Sequence, residues 1–294
     1  MLSLLSGLAL TSCVILTWLV VRMRPLVTGL TLIYSWTWAL AASIAVMIAT
    51  VLGSGLLNVP AGWRSLSQLF AVTMLLTPAV ATLGARRPGV IAWQGFVVTP
   101  LILVLLWPGV SQLTSSRGQE PLELSVPALA GIIIVLTMSA GTSLGTAMTG
   151  PFLMYVAGVV FAILPSTGWA SADSILPLLT APLLMFATWL GKEAISKRYA
   201  VIAAADTKNE LVDQTWRLFQ DLYGLVWALR VQDRVNQFAL REQWTVRLTL
   251  DGFRSQEGNS ASDEDLQKPR DAFRWVLGRF ASEQWVASRL FRLG

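Results

Sequence analysis

The chain has 294 residues, of which 54% are hydrophobic and only 13% charged, and it contains no histidine and a single cysteine. A soluble domain carries about 25% charged residues, so this composition belongs to a protein solvated largely by lipid. The two low counts exclude intrachain disulfides, Cys/His zinc sites, His-ligated haem and any Ser-His or Cys-His dyad within the chain. Charge is unevenly placed: residues 1–191 carry six basic and three acidic side chains, and residues 192–294 carry sixteen and fourteen. A transmembrane domain (1–191) followed by a polar C-terminal domain (192–294) is therefore expected.

A helix crossing the ~30 Å hydrocarbon core needs about 20 mostly apolar residues. The first span is expected over residues 2–21, stopped by Arg22, Arg24 and Pro25, and the second within 26–57. The third covers 69–84, closed by Arg86-Arg87-Pro88-Gly89, and the fourth 90–110. The fifth runs over 128–147, the sixth over 152–164 and the seventh over 175–190, giving about seven. Between spans five and six only Met148-Thr149-Gly150-Pro151 makes the turn, with proline suited to a first helical turn. Residues 2–21 lack the basic start of a signal peptide, and Cys13 reads as a buried thiol in a retained helix. The competing reading, a lipidated Cys13 after a lipoprotein-like Leu10-Thr11-Ser12-Cys13 stretch, leaves the other six spans in the same orientation.

Orientation follows the short-loop lysines and arginines. Arg22, Arg24, Arg86, Arg87, Lys192, Lys197 and Arg198 fall on one side, and Arg64 and Arg117 on the other. The first side is expected to be cytoplasmic, with the N-terminus outside and the C-terminal domain inside. Trp18, Trp63, Trp107, Trp169 and Trp189 sit near span ends, as an interfacial aromatic belt requires.

The predicted span interiors hold no Asp, Glu, Lys, Arg or His, which disfavours proton relays, voltage sensors and intramembrane aspartyl proteolysis. Pro78, Pro100, Pro177 and Pro182 mark bends, either ordinary helix geometry or backbone lining a solute path. Gly141-Thr142-Ser143-Leu144-Gly145 matches G-x-S-x-G, but no histidine exists to serve as base, and Lys192 is the nearest lysine. The same residues read better as packing: Gly141 and Gly145 lie four apart, Ser139 and Ser143 form an adjoining small stripe, and span five is expected to be the most tightly packed helix. Gln94 and Thr99 in span four, with Thr73, Thr77 and Thr82 in span three, are read as interhelical or carbonyl hydrogen-bonding groups.

Beyond Lys192, span seven is expected to continue through the Ala-rich 199–205. Thr207 and Glu210 form a capping box, opening a helix over 209–241 with a kink at Gly224. Val212, Trp216, Phe219, Tyr223 and Val226 recur at helical spacing as an apolar stripe, with Trp216, Phe219, Tyr223 and Val226 as the candidate face for a partner. Asp213, Arg217, Asp221, Arg230, Asp233 and Arg234 occupy the other face and suit surface ion pairs. Residues 244–250 alternate, placing Val246, Leu248 and Leu250 on one face before an Asp251-Gly252 turn. They form either a strand whose partner lies elsewhere in the chain, in a second copy or in another subunit, or an extended stretch along the helices. Residues 255–268, with Asp263-Glu264-Asp265, read as a mobile acidic loop. Pro269 then opens a last helix over 270–292, with Phe273, Leu277 and Phe280 as its seam, that either packs on the 209–241 helix or lies on an anionic leaflet.

Two stretches, LGARRPG at 83–89 with Ala92-Trp93, and FQDLYGLVWALRVQDRVNQ at 219–237, resemble an uncharacterised group of bacterial polytopic inner-membrane proteins. The resemblance implies a bacterial inner-membrane location and brings no activity or site residue with it.

The expected fold class is thus an all-α integral membrane protein with a mainly helical cytoplasmic domain and one short strand. No catalytic, cofactor-binding or metal-binding constellation is assigned, no cofactor is expected, and neither phosphate-loop pattern occurs. The C-terminal net charge of only +2 gives nucleic-acid binding little support. The functional expectation is a non-catalytic membrane subunit or scaffold docking a membrane or cytoplasmic protein through its C-terminal helices. The alternatives are a channel or facilitator for a neutral or lipid-like solute, and a membrane enzyme or signal receiver.

Overall fold

The computed structural model describes residues 2–170, 175–255 and 265–290. Seven of its helices are long and apolar enough to cross a membrane, which fits a multi-pass, all-α membrane protein. They are α1 (Leu2–Arg22), α2 (Ile33–Gly53), α3 (Ala61–Leu83), α4 (Val90–Ser115), α5 (Val126–Ser143), α6 (Thr149–Ile163) and α7 (Leu176–Ala204). Their 21 residues give α1 and α2 lengths of about 31 Å at 1.5 Å per residue, one hydrocarbon thickness.

The bundle packs around α3, whose apolar window is 56% buried, against 17% for α5. Ala42, Ala45 and Ala49 of α2 share a buried core with Ala71 and Val72 of α3, and small side chains let two backbones approach closely. This corrects the expectation for span five. Gly141 is exposed, with nothing within 4 Å of a Cβ built there. Helix α5 ends at Ser143, so Gly145, in a turn at φ +80°, shares no helical face with Gly141. Ser139 is buried and Ser143 half-buried.

Several polar groups inside the bundle find a carbonyl or side-chain partner, as lipid demands, but Thr73 Oγ1, buried in α3 and expected to hydrogen-bond, has none among the described residues. Pro78 lies within α3 and cannot donate to the Met74 carbonyl. The Thr77 hydroxyl donates to that carbonyl instead, at 2.7 Å. In α4 a π-turn over Gln94–Val98 precedes Pro100, and both the Thr99 amide and hydroxyl turn back to the Gln94 carbonyl. The Gln94 side chain accepts from Trp38 Nε1 at 2.8 Å, tying α4 to α2. Cys13 is buried in α1 with its thiol 3.4 Å from the Thr50 hydroxyl.

Helix α7 runs without interruption through 191–192, so the change in charge density there falls within one continuous helix. Next come α8 (Lys208–Arg241), β1 (Val246–Thr249), β2 (Gly252–Ser255), α9 (Gln267–Leu277) and α10 (Glu283–Leu290). Thr207 caps α8 by accepting from the Glu210 amide, while the Glu210 carboxylate reaches one residue further back than a capping box requires, to the Asp206 amide. The partner missing from the strand reading is the next segment: β1 and β2 form an antiparallel hairpin with Leu248 opposite Phe253. Val246 and Leu248 are buried, but Leu250 falls in the turn and is exposed. Ser255 ends β2 and α9 starts at Gln267, so the acidic loop is shorter than expected, and its residues 256–264 lie outside the described residues. The single helix expected over 270–292 is two, broken at Gly278–Ser282.

These elements close on one aromatic column. Trp216 stacks on Phe219 and Phe219 on Tyr223. Phe280 stands edge-on to Phe219, Tyr223 and Trp227, each 5.1 Å away between centroids. Such ring pairs add about 0.5–1.5 kcal/mol each beyond area burial. The column's core also includes Val27, Leu30 and Leu32 from the α1–α2 connection and Ala85 after α3. The C-terminal region therefore packs on one end of the helical bundle and shares a core with it.

A cavity roofed by helix α8

Helix α8 is broken at Gly224, where φ 79° and ψ 172° place the residue in a region that only glycine occupies readily. A Cβ there would lie 2.6 Å from the Thr142 carbonyl oxygen. The break thus does two things: it turns the chain, and it lets α8 lie against the end of α5.

Next to this contact is a cavity of about 390 Å³. Its walls come from α1, α2, α3, α5, α6 and α7, and its roof is Asp221, Leu222, Tyr223 and Gly224. Leu16, Ala42, Leu75, Phe152, Leu184 and Ala187 make most of the wall apolar. Hydroxyls gather on the α5 side, from Ser139, Thr142, Ser143 and Thr146. Ser139, Thr142 and Thr146 each donate to a backbone carbonyl three or four residues earlier. What these three offer the cavity is acceptor lone pairs.

Asp221 is the one charged residue among the lining side chains. Its carboxylate is buried, with one oxygen 2.7 Å from Arg198 Nε on α7 and the other accepting from the Ala147 amide at 2.9 Å. Spacing along α8 had paired Asp221 with Arg217 on a solvated face; tertiary contact overrides that. A sequence signal was present, because Leu218, Gly224 and Leu225, its helical neighbours at i−3, i+3 and i+4, are apolar. Asp213 likewise leaves the expected surface pattern to hold β2, accepting from the Phe253 amide and Arg254 Nη1.

Next to the roof, the Thr31 hydroxyl lies 2.7 Å from the Ala85 carbonyl oxygen and 3.0 Å from the Tyr223 hydroxyl. Tyr223 donates to the Phe280 carbonyl at 2.7 Å, and that carbonyl also accepts from the Thr31 amide at 2.8 Å. Trp227 Nε1 donates to the Thr82 carbonyl at the end of α3. Burial pushes the Tyr223 phenol above the usual tyrosine range, only partly offset by the Thr31 hydroxyl.

The expected partner face is used internally. Trp216, Phe219 and Tyr223 are buried in the chain's own core, and Val226 is half-buried. An amphipathic stripe reveals that a face is covered; it does not say by what. Here Phe273, Phe280 and the α1–α2 connection cover it. Among the described residues no group of three or more His, Cys, Asp or Glu is arranged to hold a metal. No family model, curated protein or solved structure matches the chain.

Proposed function

We infer that this chain is a multi-pass membrane protein that receives a neutral, lipid-like solute in the cavity beneath α8 and acts as its carrier or facilitator. The observation that supports this reading is the cavity itself. Its volume of about 390 Å³ falls within the roughly 300–1,000 Å³ typical of small-molecule sites. Its apolar wall suits a hydrocarbon body, while the α5 hydroxyls and Asp221 suit a hydrogen-bonding head. The seven-arginine-and-lysine side argues for a C-terminal region facing the cytoplasm, and a bacterial inner membrane rests on the resemblance of the 83–93 and 219–237 stretches.

The test is lipid analysis of the purified full-length chain, extracted under mild detergent, beside an Ala187→Phe variant. Ala187 is buried on the cavity wall, so a phenyl ring there fills the space. The expected result is one molecular species retained near stoichiometric amount by the parent and lost from the variant. Retention of only bulk lipids in equal amount by both would overturn the reading, and a stoichiometric companion protein would replace it with an accessory-subunit role.

A further inference from the structure

A second site lies outside the cavity, where the fold brings arginines from three separate segments to one surface. Arg87 donates its amide to the Arg279 carbonyl at 2.8 Å, which joins the α3–α4 loop to the segment after α9. Trp227 is fixed to the last turn of α3 through Thr82. Arg230 and Arg234 follow it at one-turn spacing along α8, and so share its face.

Three of these guanidiniums lie over rings: Arg230 over Trp227 at 4.9 Å, Arg234 over Phe238 at 5.0 Å and Arg279 over Trp275 at 5.0 Å. Phe238 and Trp275 meet edge to face, while Trp227 packs edge-on against Phe280, next to Arg279 in the chain. Stacking orients a guanidinium while leaving its N–H edge available; Arg234 spends one of its donors on Gln237 Oε1, at 3.1 Å from Nη1. Among the described residues, none of Arg86, Arg87, Arg230, Arg234 and Arg279 has a carboxylate within 4 Å.

We propose that this face is a headgroup site for anionic phospholipid, with the arginines holding phosphate and Trp275 seated at headgroup level. Position selects a lipid over other anions. The face begins at the ends of α3 and α4, where the bundle leaves the hydrocarbon, and Trp275 leaves 51% of its surface exposed beside Arg279. Indoles favour that depth, and basic residues near an anionic leaflet gain strongly from its surface potential. The site is independent of the cavity and of any solute it holds.

The experiment is native mass spectrometry of the full-length chain in detergent, given equal dioleoylphosphatidylglycerol and dioleoylphosphatidylcholine. The parent is expected to retain the anionic lipid about tenfold over the zwitterionic one. Arg230→Gln/Arg234→Gln/Arg279→Gln should bring that ratio to within about twofold. The matching lysine triple should keep most of the preference, which separates charge loss from misfolding. Lys208→Gln/Arg217→Gln/Arg247→Gln, with the same charge removed elsewhere, should keep it entirely. Equal retention of both lipids by the parent, or equal loss in that second glutamine triple, overturns the proposal. So does displacement of the lipid by millimolar glycerol phosphate, which would make the site one for a soluble phosphate ligand.

Discussion

Gly224 and Thr142 approach so closely that a single methyl group at the glycine would sit 2.6 Å from the threonine carbonyl oxygen. This one contact decides where α8 crosses the end of α5, and with it the roof of the cavity. Gly224→Ala must both clash and occupy a glycine-only backbone region, at a cost of order 1–3 kcal/mol from the backbone alone. A lowered unfolding midpoint in detergent is the expected outcome. The matched control is Gly141→Ala, in a helix with open space around it. It should be neutral or stabilising by up to about 1 kcal/mol, since alanine is the better helix former. A control as damaging as the test would sink the assignment.

Asp221→Asn leaves Arg198 without its partner and the cavity without its carboxylate. Removing one member of a fully buried pair costs about 3–5 kcal/mol. Arg198 keeps 29% of its side chain exposed, so about 1–3 kcal/mol is expected after allowance for solvent screening. Arg198→Gln/Asp221→Asn should recover part of the loss, because no lone charge remains. Chemical denaturation of the single and double variants measures the coupling.

The Tyr223 phenol is neutral in the folded and unfolded chain below about pH 10, so it adds no pH dependence there. Above that pH the unfolded chain releases the proton while the buried phenol retains it, so stability falls as pH rises, by up to about 1.4 kcal/mol per unit. Tyr223→Phe should cost about 1–2 kcal/mol at neutral pH through its lost hydrogen bonds and show a shallower alkaline limb. Unfolding midpoints between pH 7 and 11 test both parts.

Asn236 grips β1 twice, donating to the Leu248 carbonyl at 2.9 Å and accepting from its amide at 2.8 Å. Asn236→Ala should destabilise by about 1–3 kcal/mol by orphaning two partly buried backbone groups. Hydrogen exchange should speed first at residues 246–249. Unchanged exchange there would show that the hairpin holds without the clamp.

Features written locally were legible in the sequence. Uniform apolar runs marked all seven helices long and apolar enough to cross a membrane, the Thr207 side chain caps where its spacing predicted, and Val246 and Leu248 are buried as alternation requires. Gly224 was legible as a break but not as a contact, because its neighbour Thr142 lies on another helix. Arg198 and Asp221 escaped for the same reason: helical spacing compares residues one turn apart, and these meet between α7 and α8. The stripe of Trp216, Phe219 and Tyr223 was legible as a covered face, yet its cover comes from the α1–α2 connection and from Phe273 and Phe280. The cavity left no local trace, since six helices each contribute a few unremarkable residues to it.

The Thr31–Phe280 contact joins residues 249 apart in the chain, and that distance sets a timetable. At a synthesis rate of about 5–20 residues per second, roughly 12–50 s separate the two residues' emergence from the ribosome. The Thr31 hydroxyl and amide therefore lack the Phe280 carbonyl until the segment after α9 has been made. A translational stall before residue 280 would leave Thr31, Tyr223 and Trp227 without the Phe280 ring and carbonyl that close on them.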